Sequence, residues 1–282
     1  MMLRMTILLR LHDSNVSSLQ PSQPLLGTES LRRLAWAVYV FDATISGGAH
    51  GQASFSADML TIQLPSDERV FLQRIPTVTE PLAPMLPPSP LPQHTDMSST
   101  LGIGAHMIRA MAARQLVADL HSRIQRLLIS KEDLPSALLD VEDQAARLLG
   151  SLPSHLEYSK SQYHIYKEQR PMILVLHVSR INTRRHLLLL RSAASIYLAG
   201  HEAPVLSSLV QEARNLSQLF GDAIDLGVAL DPQLAMHAYH GIESTCHMIE
   251  LEIGLTDNTQ SYSFNHREPL AALMKLVSKS TK

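Results

Sequence analysis

A single cysteine, Cys246, stands in 282 residues. One thiol cannot build an internal disulfide framework, and its solitude fits a reducing compartment. Nor can one thiolate hold a cluster of zinc ions. Aromatic residues make up only 5% of the chain, so leucine, alanine and methionine carry the apolar load, a palette that favours helices. Positive charge is not in excess either: the formal net charge is -2. Without a basic field the chain has no general attraction for phosphate backbones, and alone it is not expected to grip DNA. No uninterrupted apolar run approaches the roughly 20 residues of a membrane-spanning helix, so no membrane partner is expected. Met1 to Leu11 is broken by Arg4 and Arg10 and reads as a truncated amphipathic helix rather than a secretory signal. Internal repeats of solenoid period are missing.

What is present reads as helix. With 45% hydrophobic and 18% charged residues, the chain can bury a sizeable core as one large body or two coupled ones. Val117, Leu120, Ile124 and Leu127 step by three and four, as do Leu138, Val141, Ala145, Leu148 and Leu152 before Pro153. Pro171 can open a helix through Ile173, Leu176, Ile181 and the run Leu187 to Leu190. Leu206, Leu209, Ala213, Leu216, Phe220 and Ala223 form the cleanest stripe, and Asp231-Pro232 starts a further segment through Ala235, Ala238, Ile242, Cys246 and Ile249. Alternation suited to a strand is confined to Met59 to Leu64. Between Pro76 and Pro92 prolines crowd the chain at Pro81, Pro84, Pro87, Pro88 and Pro90, which predicts an extended connector. The expected fold is all-α, an irregular multi-helix assembly with a proline-rich connector at 73–100 dividing 1–72 from a helical continuation at 101–282.

The segment from Glu29 to Asp42 is the most informative. Thr28 is placed to cap a helix and Glu29 to sit at its positive end. Leu31, Leu34, Val38, Phe41 and Ile45 recur at helical spacing, while Trp36, Tyr39 and Val40 load the flanks. Such a helix is expected to lie inside a larger helical body, with the Tyr39 hydroxyl and the Trp36 N–H paired to polar neighbours such as Asp42.

These residues carry a resemblance. Glu29, Arg32, Arg33, Trp36, Tyr39, Asp42, Gly51, Leu64, Pro65 and Asp67 fall in order on a pattern of an acid, paired arginines, an aromatic helix W-x-x-Y-x-x-D, a glycine break and a return through L-P. That pattern resembles the middle homology region of fungal transcription factors, and Leu11-His12-Asp13 is similar to its short upstream segment. Residues 1–72 then correspond to the C-terminal part of that region. Leu152-Pro153, Leu176-His177 and Arg184-Arg185 are similar to its helical remainder. Ala43, Gln52 and Ala53 depart from it where arginine, arginine and proline are usual, and only Asp58 remains of an acidic cluster. The family's six-cysteine binuclear zinc module has no counterpart here, since Cys246 is the sole cysteine.

Candidate chemistry is thin. Gly102-Ile103-Gly104 lacks the third glycine and preceding strand of a dinucleotide loop and reads as a flexible helix start. His237, His240 and His247 lie on one predicted helix but without the glutamate of H-E-x-x-H, and Cys246 falls on an apolar stripe about 100° from His247. Metal, cofactor and catalytic residues are therefore all expected to be absent, and an enzymatic reading would need turnover lost on changing His240 or Cys246. Arg180, Arg184 and Arg191 share a helix face that could receive an acidic partner, an anion or a phosphate backbone, or simply be solvated. Trp36, Tyr39 and Asp42 are read as core packing or as one wall of a cavity for a small apolar effector.

The resemblance implies a nuclear transcription regulator, the helical regulatory or effector region of a fungal factor, with pathway-specific control of a biosynthetic gene cluster as its finer form. Implied partners are other transcription factor subunits or coregulators, with DNA reached only through a missing or partner module. The alternative is a free-standing helical ligand-sensing or protein-interaction module that does not bind DNA itself.

Overall fold

The computed structural model describes residues 25–45, 57–75, 77, 79–82, 101–150, 152–159, 170–200 and 205–228. Among them the regular structure is helical and no strand forms: α1 (Leu25–Ile45), a short α2 (Glu68–Leu72), α3 (Ile103–Gln125), α4 (Leu134–Leu149), α5 (Arg170–Ala199) and α6 (Leu206–Asp225). Single 3-10 turns lie at Ala57–Met59 and Ser154–Leu156. The all-α class follows from the sequence as expected. The alternation from Met59 to Leu64 yields only an isolated antiparallel bridge, Gln63 with Pro81. The segment opened by Asp231-Pro232, with His237, His240, Cys246 and His247, lies outside the described residues, as do residues 83–100.

Helices α3 and α5 form the spine. Ala105, Ile108 and Ala112 share one apolar cluster with Ile173, Leu176 and Ile181, while Val117 and Leu120 share another with Leu190 and Ala194. The two helices therefore run in the same direction, and the Thr183 hydroxyl donates to the Ala110 carbonyl across them at 3.0 Å. Small residues at Ala105, Ala110, Ala112 and Ala113 let the backbones approach closely. Helix α4 returns antiparallel, with Leu134 near the end of α3 and its last carbonyls reaching Arg180. It ends at Gly150, whose φ of 40° suits glycine, rather than at Pro153. Helix α6 packs its stripe of Leu209, Ala213, Leu216, Phe220 and Ala223 as the periodicity predicts. Leu127 does not continue the α3 stripe; it stands past the helix end and is exposed.

Helix α1, expected to be enclosed on nearly all sides, buries one face and leaves another in solvent. Leu31, Leu34, Phe41 and Ile45 are exposed, Leu34 by 50% and Phe41 by 57%. Ala35, Trp36, Tyr39, Val40 and Ala43 form the buried face. Both faces are apolar at helical spacing, and the alanines decide between them: they let the helix sit close while the two aromatics reach inward. Thr28 is not the N-cap, because the helix starts at Leu25, so Glu29 lies inside it rather than at its positive end.

The segment from Ala57 to Leu82 folds onto α1 and α3. Leu60, Ile62, Leu64 and Leu82 join one core with Trp36, Met111 and Phe220, so this core draws on both sides of the proline-rich stretch. Thr79 and Leu82, within that stretch, are buried. The Leu64 amide donates to Glu80 at 2.9 Å, and the Thr79 hydroxyl donates back to the Leu64 carbonyl. Gly102 is required for a close approach: a Cβ there would stand 2.9 Å from the Asp67 Cα.

Candidate functional site

The Trp36–Tyr39 face is the structural centre of the amino-terminal body. The rings meet edge to face with centroids 5.7 Å apart and planes at 85°, the arrangement favoured by their quadrupoles. The single N–H of Trp36 donates to the Gln63 carbonyl at 2.8 Å, not to Asp42. The Tyr39 hydroxyl donates to Gln115 on α3 at 3.1 Å. Asp42 is half-buried one turn further along α1. The tryptophan thus fixes the 57–82 segment to α1, and the tyrosine fixes α1 to the spine.

Beside it, Glu29 organises a charged junction that periodicity alone did not reveal. Its carboxylate accepts from Arg32 at 2.7 Å, from Arg33 Nε at 3.0 Å, and from the Ser66 amide and hydroxyl at 3.0 and 3.1 Å. Arg33 also donates to Glu68 and to the Ser66 carbonyl, and its guanidinium lies 4.2 Å from the centre of the Phe71 ring. Asp67 caps α2 by accepting from the Arg69 amide at 2.9 Å. The acid, the arginine pair and the L-P-x-D return therefore form one connected network. Burial holds Arg32 below its usual range, with Glu29 acting the other way.

The three arginines of the expected basic face are placed apart and each is engaged within the chain. Arg180 donates to the Leu149 and Gly150 carbonyls, satisfying the end of α4. Arg184 grips Glu212 of α6 with two bonds of 2.6 and 3.1 Å. Arg191 donates to Glu142 of α4 at 2.6 Å, and that bond raises its pKa. They act as struts from α5 to its neighbours.

Further polar residues are buried along α3 and α5. Arg114 and Arg185 are buried, and so are Ser179, Asn182, Thr183 and His106. His186 keeps part of its surface in solvent, yet burial of its ring, with Arg114 and Arg185 nearby, lowers its pKa to about 3 against the pull of its bond to the Asn182 carbonyl. Burial, then Arg109, Arg180 and His155, take His106 down to about 4. The sequence carried a signal for Arg185. Adjacent residues on a helix point about 100° apart, so Arg184 and Arg185 could not both lie on one solvated face. Arg114 likewise interrupts an apolar run of alanines and Met111.

Among the described residues no group of histidine, cysteine, aspartate or glutamate could hold a metal ion, and no helix is long and apolar enough to cross a membrane.

These features describe an all-α body built from packing and polar struts. Comparison with known families finds no matching family model, and no solved structure matches the chain. Among characterised proteins, the chain is similar to the Zn(2)-C6 fungal-type transcription factor FTF1c of Fusarium oxysporum f. sp. lycopersici, with 28% identity over 189 residues. The match covers 62% of this chain and 20% of that protein, so the chain spans about one fifth of its relative's length. A relationship to fungal zinc-cluster transcription factors is thereby supported.

Proposed function

We propose that this protein is a transcription regulator acting in the nucleus, and that the described helices are its regulatory body, corresponding to the middle homology region and its helical continuation. The similarity to a zinc-cluster factor over 62% of the chain carries this reading. The network of Glu29, Arg33, Ser66 and Trp36 supports it, because the residues of the recognised pattern meet in one structural unit. Contact with DNA is left to a zinc-cluster module elsewhere or on a partner. A small effector or a coregulator that favours one packing of the helices would change output, with pathway-specific control as the finer form. Trp36, Tyr39 and Asp42 line the wall that an apolar effector would meet.

The test joins the full chain to a heterologous DNA-binding module and reads nuclear location and reporter output. Trp36→Ala is expected to change output several-fold at matched protein level. Output equal to that of the DNA-binding module alone, unchanged by Trp36→Ala, would overturn the proposal. A second reading, a helical interaction module, is favoured by the exposed apolar face of α1 at Leu31, Leu34, Phe41 and Ile45.

A further inference from the structure

The residues that α1 exposes from Leu31 to Ile45 are all apolar: Leu31, Leu34, Ala37, Phe41 and Ile45, with Val38 half-buried among them. Leu31, Leu34, Val38, Phe41 and Ile45 step by three, four, three and four, the seam spacing along which one helix receives the side chains of another. Across these residues the seam runs roughly 20 Å, at about 1.5 Å per residue. Ala37 beside it is small enough for a second backbone to approach. The inner face is already fixed, by Trp36 to Gln63 and by Tyr39 to Gln115, so the seam is held in place before anything meets it.

One edge of this face is cationic. Arg33 stands one turn before Ala37 and holds α2 there, through Glu68 and the Phe71 ring. Helix α2 presents Leu72 and Ile75 to solvent together with Arg69 and Arg74. Bonds from the Arg74 amide to the Phe71 carbonyl at 3.0 Å and from the Ile75 amide to the Val70 carbonyl at 3.1 Å close α2 in a Schellman turn, with Arg74 at a φ of 59°. The guanidiniums of Arg69 and Arg74 have no acid partner among the described residues. Glu29 and Glu68 are both held by Arg33, and Asp67 caps α2, so the acids of this edge are committed. Asp42 stands on the other edge, toward Ile45.

Leu31, Leu34, Phe41 and Ile45 leave roughly 400 Å² of apolar surface in water, within the range of the functional patches of monomers. A second copy meeting this face with its own would bury about twice that, short of the about 1,200 Å² of a stable interface, and would bring further cations rather than acids. We propose that the outer face of α1 docks an amphipathic helix of a partner protein, apolar along one seam and acidic along the flank that meets Arg69 and Arg74. This rests on the helical interaction reading above and names the partner's chemistry. The area is that of a weak, exchangeable contact, suited to a coregulator that binds and leaves.

Titration of the full chain with a labelled three-heptad peptide tests this. The peptide carries leucine at both seam positions and glutamate on the flanks, whose like charges keep it from pairing with itself. Saturable binding in the micromolar range is expected. Leu34→Gln with Phe41→Gln should weaken it about tenfold or more at an unchanged Tm, which separates lost contact from lost fold. A peptide with lysine flanks should bind several-fold more weakly at low salt, and Arg69→Glu with Arg74→Glu should invert that preference. No saturable binding, equal binding by the glutamine variant, or equal affinity for both peptides would overturn the proposal. So would a wild-type dimer in sedimentation that the glutamine variant loses, which gives the face to a second copy, or capture by phosphatidylglycerol vesicles in place of the peptide, which gives it to a lipid surface. If the peptide fails while Trp36→Ala still changes reporter output, the regulatory reading stands without this surface. If the peptide binds through Leu34 and Phe41 and the reporter is indifferent to the chain, the surface stands and the transcriptional reading falls.

Discussion

Two groups of arginines in this protein are treated in opposite ways. At the junction of α1 and α2, Arg32 and Arg33 are answered by Glu29, Glu68 and Ser66. Along α3 and α5, Arg114 and Arg185 keep open nitrogens, and no carboxylate bonds them. The first group has the properties of a fastener: every charge has a partner, part of it reaches water, and its loss loosens a loop. The second opposes folding, since cations of this kind are replaced by apolar side chains at little cost or with a gain. A helix pair already packed with alanine, valine and leucine does not need them for stability. Helix α1 touches both groups, through Glu29 near one end and the Ala43 carbonyl near the other.

The largest expected effect is the response of the buried histidines to acid. His186 and His106 are held at about 3 and about 4 in the folded chain, and burial also lowers His177 while its bond to the Leu156 carbonyl resists. An ordinary histidine titrates near 6.5, so as pH falls below that value the unfolded chain takes up protons that the folded chain refuses. Stability is therefore whole above about pH 6.5 and drains as pH drops toward the folded values. Each such proton corresponds to about 1.4 kcal/mol per pH unit. Between pH 7 and 5 the loss follows proton uptake by these histidines on unfolding. Urea unfolding across that window should show a steep fall, and His186→Phe should flatten it; a flat profile in the wild type would show that these histidines are freely solvated.

Next in size is the junction. Glu29→Ala removes the acceptor for two arginines and for the Ser66 amide at once, leaving partly buried donors without a partner. Arg33 retains Glu68, which limits the damage. The expected cost is about 2–3 kcal/mol by chemical denaturation. Hydrogen exchange should show the 57–75 segment opening before the α3–α5 spine. A uniform loss of protection through both would mean that the junction and the spine are one cooperative unit.

The sequence made α6 legible because its apolar residues recur on one face. Leu209, Ala213, Leu216, Phe220 and Ala223 are an unambiguous stripe, and they are buried. Helix α1 was harder because it has two apolar faces. Periodicity finds both and does not rank them, so it predicts enclosure on nearly all sides where the structure encloses one. What decides the matter is the reach of Trp36 and Tyr39 to Gln63 and Gln115, contacts to a loop carbonyl and to a residue on another helix. Neither partner leaves a periodic trace. Arg180, Arg184 and Arg191 are legible as one helix face, but their partners are not: Arg180 and Arg191 end on α4 and Arg184 on α6. Arg185 is buried, and only its position beside Arg184 hinted that it must point inward.

The smallest expected effect concerns the face of α1 that belongs to neither group. Leu34 and Phe41 are about half exposed and stand on the side away from Glu29, Trp36 and the Ala43 carbonyl contact. A double change, Leu34→Gln with Phe41→Gln, removes apolar surface that is already in water, and glutamine keeps a good helix propensity. Stability should move by no more than about 0.5 kcal/mol by urea denaturation, and the acid-induced loss between pH 7 and 5 should keep its slope. A destabilisation comparable to that of Glu29→Ala would mean that this face is covered in solution. Concentration dependence of the wild-type midpoint would then point to a second copy of the chain as the cover, because association couples stability to protomer concentration. A concentration-independent midpoint with the same large loss would place the cover within the chain itself, on the outward side of the helix that links the answered arginines to the unanswered ones.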